Sequence, residues 1–298
     1  MTDSRIALPV IDHLRQHLVE LIGDRHPTSS PQGLQRAEQY LTRQLHALDL
    51  DVTPQAFDGL GATYRNLVAT LSAPDAAAPP LVIAAHYDTV ARSPGADDNA
   101  SGLVVMLEAA RCLREMPLRR PIRFIAFCLE ESDLLGSRAY ASQLRAEGQA
   151  LYGAIVLECV GFASPEEGSQ QAPPGLPIAI PPVGDFLGIV GNHASADLVQ
   201  TIEKAAKRRV PHLKTLSLVV PGQGELFPDT RRSDHAAFWA HGYPAVMLTD
   251  TANFRNPHYH QPTDVLSTLD LEFMERVTTL LVAAVQDMAA FDSPAGMI

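Results

Sequence analysis

The chain has 298 residues, of which 46% are hydrophobic and 19% charged, and its formal net charge is −11. This composition is typical of a globular protein with a large core, and the negative charge argues against a protein that binds nucleic acid through its phosphates. No apolar run approaches the roughly 18 residues that span a membrane, and the first 20 residues lack the apolar segment of a signal peptide. We therefore expect a cytoplasmic protein that is not associated with a membrane and forms a single domain over residues 1–298.

Two amphipathic helices are predicted at the start of the chain. The first covers residues 7–22 and places Leu14, Leu18 and Leu21 on one face. The second covers residues 31–48, and the intervening sequence is rich in turn residues.

Four short apolar runs then indicate buried strands. They are Leu81–Ala85, Ile122–Leu129, Ala154–Leu157 and Ala245–Leu248. Runs that are apolar nearly throughout are typical of strands buried on both faces, as in a sheet covered by helices. Helical patterns over Ser101–Met116 and Leu134–Glu147 alternate with these strands. The alternation predicts an α/β fold with a mostly parallel, mixed central sheet sandwiched by helices.

Each predicted strand is followed by acidic residues or histidine. These residues are His86 and Asp88, Glu130 and Glu131, Glu158, and Asp250. In open α/β sheets ligands bind at the carboxyl ends of the strands, so these side chains are expected at one edge. Carboxylates and imidazole gathered there suit Zn²⁺ or a similar divalent ion, because the acids would otherwise repel one another.

A glycine-bounded segment, Gly95–Gly102, adds two more acids directly before a predicted helix. Its Asn99 or Ser101 could cap that helix, so the segment could equally be only a loop with a cap. The residues themselves leave both interpretations open.

Five motifs in this chain resemble those of the M28 family of zinc peptidases. They are HYD at 86–88, PGADDNASG at 94–102, LEESDLLGS at 129–137, SDHAAFW at 233–239 and NPHYHQPTDV at 256–265. The family includes two-zinc aminopeptidases, glutamate carboxypeptidases and glutaminyl cyclases. The resemblance spans roughly residues 30–290 and implies the phosphorylase/hydrolase-like fold of zinc exopeptidases.

The resemblance also implies the ligands of up to two zinc ions. His86 and Glu158 would bind one ion, Glu131 and His260 the other, and Asp98 would bridge the two. Glu158 departs from the pattern, since many two-zinc aminopeptidases have Asp at this position.

Glu130 would be the general base, and Asp88 would orient His86 through its second ring nitrogen. The family also carries a cis peptide after the bridging Asp, which here is the bond from Asp98 to Asn99. Adjacent Ser233, Asp234 and His235 cannot converge as a catalytic triad, and Asp234 and His235 are expected to support the site instead. His258 is expected to line the cleft.

The predicted function is hydrolysis of the N-terminal peptide bond of peptides or aminoacyl amides by a metal-activated water. The acids Glu130, Glu158 and Asp250 would attract a free ammonium group, and the proline-rich loop 164–182 would wall the specificity pocket. Three alternatives remain. They are a glutaminyl cyclase, a carboxypeptidase or amidohydrolase that binds a substrate carboxylate through Arg231 or Arg232, and a non-catalytic binding protein on the same fold.

Overall fold

The computed structural model describes residues 8–176 and 178–289. The helices are α1 (Ile11–Leu21), α2 (Pro31–Ala47), α3 (Gly102–Leu113), α4 (Leu135–Ala146), α5 (Ala196–Arg209), α6 (His235–Ala240) and α7 (Leu271–Ala289). The strands are β1 (Asp51–Gly59), β2 (Ala62–Leu71), β3 (Leu81–His86), β4 (Ile122–Phe127), β5 (Gly153–Glu158), β6 (Phe186–Asn192), β7 (Lys214–Val220) and β8 (Ala245–Thr249).

The strands form one mixed sheet in the order β1-β2-β4-β3-β5-β8-β6-β7. The central strands β4, β3, β5 and β8 are parallel to one another. The flanking pairs β1/β2, β2/β4 and β6/β8 are antiparallel, while β6 and β7 are parallel. The predicted mixed α/β sheet is confirmed, and its central strands direct their carboxyl ends to the same edge.

Alternate residues of the central strands pack on opposite faces of the sheet. In β3, Leu81, Ile83 and Ala85 belong to one buried cluster, and Val82 and Ala84 belong to another. The first cluster is completed by α1, α2, α3, α5 and α7, and the second by α4 and α6. These layers explain why the strand sequences are apolar throughout rather than alternating.

The four predicted helices correspond to α1 to α4, and the four predicted strands correspond to β3, β4, β5 and β8. Their predicted and observed ends differ by a few residues. Residue 7, the start of the first predicted helix, lies outside the described residues. The sequence analysis does not predict the outer strands β1, β2, β6 and β7 or the helices α5, α6 and α7. The β1/β2 hairpin is partly exposed on both faces, so it lacks the continuous apolar run of a buried strand.

Within residues 8–176 and 178–289, no helix is both long and apolar enough to cross a lipid bilayer. Cys112, Cys128 and Cys159 are buried free thiols.

Candidate metal centre

The sheet edge at the carboxyl ends of β4, β3, β5 and β8 carries the candidate site. His86 is the last residue of β3 and Glu158 the last residue of β5. Glu130 and Glu131 lie in the short loop between β4 and α4. Because these strands are neighbours and parallel, residues far apart in sequence meet at this edge.

One group of potential ligands consists of His86, Asp98 and Glu158, all buried. The His86 Nε2 atom lies 3.2 Å from Asp98 Oδ1 and 3.5 Å from Glu158 Oε2. Three donors of this type at such separations can surround a single cation.

A second group consists of Asp98, Glu131 and His260. The His260 Nε2 atom lies 2.9 Å from Asp98 Oδ2 and 3.3 Å from Glu131 Oε1. Asp98 thus contributes one carboxylate oxygen to each group. This is the arrangement needed if one carboxylate is to bridge two metal ions.

The hydrogen bonding of the nitrogen and oxygen atoms in the two ligand groups fits a metal centre. His86 Nε2, both carboxylate oxygens of Asp98, Glu131 Oε1 and His260 Nε2 are buried and lack hydrogen-bond partners among the described residues. Buried polar atoms without partners are costly, and nitrogen and carboxylate oxygen are the ligands that zinc prefers. These four side chains, together with Glu158 of the first group, therefore fit two divalent ions.

Asp98 is presented by an irregular turn, Ala96–Ser101, that contains a cis peptide between Asp98 and Asn99. The Asp264 carboxylate accepts hydrogen bonds from the backbone N–H groups of Asp97 at 2.9 Å and of Asp98 at 3.1 Å. The Asn99 Oδ1 atom accepts from the N–H of Gly102, the first residue of α3. The segment therefore both caps a helix and supplies Asp98 to the site, so the two interpretations of the sequence are compatible.

Glu130 lies beside the ligand groups but belongs to neither. Its Oε2 atom is 3.8 Å from His86 Nε2, and its side chain is almost fully buried. Burial raises the pKa of Glu130 well above its ordinary value; His86 opposes this shift, and the Glu158 and Glu131 carboxylates add to it. A carboxylate that is close to the ligands yet uncommitted is suited to proton transfer.

The Asp88 carboxylate lies closer to the neighbouring loop than to His86, whereas the Asp88 backbone carbonyl is within hydrogen-bond distance of His86. The Asp88 Oδ1 atom lies 3.6 Å from His86 Nδ1, whereas the backbone carbonyl lies 3.2 Å from that nitrogen. A His86 tautomer with the proton on Nδ1 donates to this carbonyl. The Asp88 carboxylate instead accepts hydrogen bonds from the backbone N–H groups of Glu130 and Glu131.

Asp250 corrects one expectation, because it is not free to meet a substrate ammonium group. It is fully buried, and its carboxylate accepts hydrogen bonds from the backbone N–H groups of Phe162 and Ala252, each at 2.8 Å. Burial and the neighbouring Asp97 raise the pKa of Asp250 well above its ordinary value. Asp250 therefore connects the loop that carries Phe162, after β5, with the loop that carries Ala252, after β8.

The contact between Ser233 and Glu158 is not predicted by the sequence. The Ser233 Oγ atom donates a hydrogen bond of 2.7 Å to Glu158 Oε2, and both residues are buried. The neighbouring His235 contacts the Thr230 carbonyl through Nε2 at 2.8 Å. His258 lies near Thr263 and Phe162 and belongs to neither ligand group. The SDH motif signalled the position of Ser233, but only the fold shows that it contacts Glu158.

Two cavities adjoin the ligand groups. The first, called the apolar cavity, is lined by Glu158 and by side chains from the proline-rich loop and the sheet, including Pro173, Leu176, Ile178, Ile180, Phe186 and Met247. The second, called the arginine-lined cavity, is lined by Glu130, Glu131, His260, Arg138, Arg231 and Arg232. Tyr259 and Arg232 line both cavities, so the two cavities adjoin each other beside the candidate centre.

The sheet and the paired ligand groups define an α/β protein with a candidate dinuclear metal centre beside a buried carboxylate. Residues 66–285 match the profile described as peptidase family M28. The chain belongs to peptidase family M28. This membership confirms the family and the metallopeptidase class that the motifs predict.

Individual relatives agree with this assignment. Uncharacterized protein YfbL of Escherichia coli (strain K12) is 33% identical over 268 residues, which cover 85% of this chain and 80% of that protein. Leucine aminopeptidase 1 of Trichophyton equinum is 28% identical over 229 residues, covering 70% of this chain but only 54% of that protein, so the chain spans about half its length. The structure of BSAP, a zinc aminopeptidase from Bacillus subtilis, shares the fold with a TM-score of 0.75, 19% identity and 98% coverage of both chains.

Proposed function

We propose that this protein is a two-zinc aminopeptidase that hydrolyses the N-terminal peptide bond of peptides and aminoacyl amides. The observation that carries the proposal is the position of Asp98, whose two oxygens belong to two separate ligand groups, next to a Glu130 that belongs to neither. His86 and Glu158 would hold one ion, and Glu131 and His260 the other.

Zinc bound by these residues would polarise the scissile carbonyl and lower the pKa of a bound water from about 15.7 to around 7. A side chain of the protein carries out the proton transfer. Glu130 accepts a proton from the attacking water and delivers it to the leaving nitrogen as the carbon–nitrogen bond breaks. Its burial and raised pKa favour this exchange, because a carboxylate with a higher pKa is a stronger proton acceptor.

The apolar cavity is suited to the side chain of the N-terminal residue. It contains aliphatic and aromatic side chains from three parts of the fold, and Glu158 lies at its wall. Because Asp250 is engaged elsewhere, the free ammonium group would be attracted by the carboxylates of Glu158 and Glu130. The similarity to a leucine aminopeptidase supports an uncharged, apolar first residue.

The test compares kcat/KM for leucine amide and N-acetyl-leucine amide with the zinc-loaded protein. Hydrolysis of the first and not the second is expected, because acetylation removes the ammonium charge. Equal rates contradict the aminopeptidase proposal. Cyclisation of an N-terminal glutamine without hydrolysis would indicate a glutaminyl cyclase, and release of residues from the carboxyl end would indicate a carboxypeptidase.

A further inference from the structure

We infer that Arg231 binds the C-terminal carboxylate of the leaving residue, which makes dipeptides the preferred substrates of this site. The inference rests on the proposed aminopeptidase activity and names the substrate class. It follows from the direction in which the leaving group points and from the charges that it meets there.

The leaving group must face the arginine-lined cavity. Glu130 can protonate the leaving nitrogen only if it lies within hydrogen-bond reach of that atom. Glu130 lines the arginine-lined cavity and is absent from the lining of the apolar cavity, whereas Glu158 lines the apolar cavity and not the arginine-lined one. A substrate whose first side chain occupies the apolar cavity therefore extends its second residue past Glu130 towards the arginines.

Two of the three arginines in this cavity already have partners. Arg138 forms a bidentate pair with Asp133, with N–O distances of 2.6 and 3.0 Å. Arg232 donates to Asn253 Oδ1 at 2.8 Å, lies 3.6 Å from Asp229 and faces the ring of Tyr259. These two guanidinium groups are occupied by the protein itself.

Arg231 differs from both. It is half-buried, lines the cavity and forms no ion pair within 4.0 Å with any residue in the described parts of the chain. None of the acids of the same cavity forms an ion pair with it, because Asp133 pairs with Arg138, Glu131 belongs to a ligand group and Glu130 lies 3.8 Å from His86. Outside the cavity lining, the exposed Glu225 interacts with Arg231 electrostatically but forms no ion pair with it. A partly desolvated guanidinium that has no carboxylate within ion-pair distance can accept one from a substrate.

A dipeptide supplies that anion in the same cavity. Its α-carboxylate is separated from the leaving nitrogen by a single carbon atom, so both groups enter together. In a longer peptide, or in a dipeptide amide, a neutral amide occupies the same place. The cleft thus has acids where the free amine enters and an unpaired cation where the carboxylate ends, which matches the charge distribution of a dipeptide.

The experiment measures kcat/KM for leucyl-glycine and leucyl-glycinamide with the zinc-loaded wild-type protein. A preference for leucyl-glycine of about tenfold to a hundredfold is expected, as for a charge-assisted hydrogen bond. Arg231→Gln should bring this ratio close to one, and Arg231→Lys should restore part of it. Arg145→Gln removes the same charge from the exposed side of α4 and should leave the ratio unchanged.

A wild-type ratio near one overturns the inference without any variant, and so does an unaltered ratio in Arg231→Gln. Leucyl-aspartamide and leucyl-asparaginamide form a second pair. If Arg231→Gln changes that ratio and not the first, the arginine binds a side-chain carboxylate and the inference is wrong. N-acetyl-leucyl-glycine tests the proposed function separately, since its cleavage at the same rate contradicts the aminopeptidase activity whatever the carboxylate preference.

Discussion

The Asp88 carboxylate accepts a hydrogen bond from the backbone N–H of Glu130 at 3.1 Å, and its second oxygen accepts from the N–H of Glu131 at 3.2 Å. Asp88 follows β3, and the two glutamates follow β4. One carboxylate therefore sets the path of the loop that carries both the proposed base and a proposed ligand. Asp88 itself lies only two residues after His86, another proposed ligand.

Asp88→Asn should weaken zinc binding about tenfold to a hundredfold and lower kcat, because an amide has a single acceptor oxygen for two N–H groups and lacks the charge. Zinc affinity by competition with a chromophoric chelator, together with kcat at saturating zinc, measures both effects. Asp58→Asn is the matched control, since Asp58 is exposed at the end of β1 and contacts Thr63. Identical zinc affinity in Asp88→Asn and wild type would contradict this role.

Glu130→Gln should retain both metal ions and lose about a hundredfold to ten-thousandfold in kcat, because only the proton acceptor is removed. Glu131→Gln should lose or loosen one ion, because it removes the charge of a ligand that lies 3.3 Å from His260. Metal content after gel filtration, measured beside kcat, separates the two variants. The reverse pattern would show that the roles within the pair are exchanged.

Removal of metal should abolish activity and lower the thermal stability of the protein. Without cations, the Asp98 carboxylate lies close to those of Glu158 and Glu131 in a largely buried site, and these charges repel. A ligand that binds only the folded state stabilises it, by about 4 kcal/mol when its concentration is 1,000 times its Kd. Calorimetric titration of zinc into chelator-treated protein should show two ions per chain. His260→Ala should leave one, and full activity without metal would contradict the proposed centre.

Ile178→Glu should change the preference for the first substrate residue. Ile178 lines the apolar cavity from the proline-rich loop and is only partly buried, so the substitution should be tolerated. A carboxylate there should lower kcat/KM for leucine amide about tenfold and favour lysine amide. Ile178→Gln controls for the loss of apolar surface without a charge. An unchanged leucine-to-lysine ratio would show that the first side chain binds elsewhere.

The sequence by itself determined the central strands and the edge at which the site lies. Short apolar runs followed by His86, by Glu130 and Glu131, and by Glu158 predict a site at one edge of the sheet. The reason is that parallel strands buried on both faces place their carboxyl ends together. The resemblance to family M28 added Asp98 and His260, which lie outside those strand ends.

Only the tertiary structure decided which of these side chains meet and which charges remain free. Glu158 is the last residue of β5 and Asp250 comes directly after β8, yet Asp250 accepts hydrogen bonds from Phe162 and Ala252 whereas Glu158 faces His86. Similarly, Arg231 and Arg232 are neighbours in sequence, but Arg232 alone of the two lies next to Asp229 and Tyr259. The physical reason is that periodicity reports local burial, whereas contacts between segments far apart in sequence depend on how loops pack on the finished sheet.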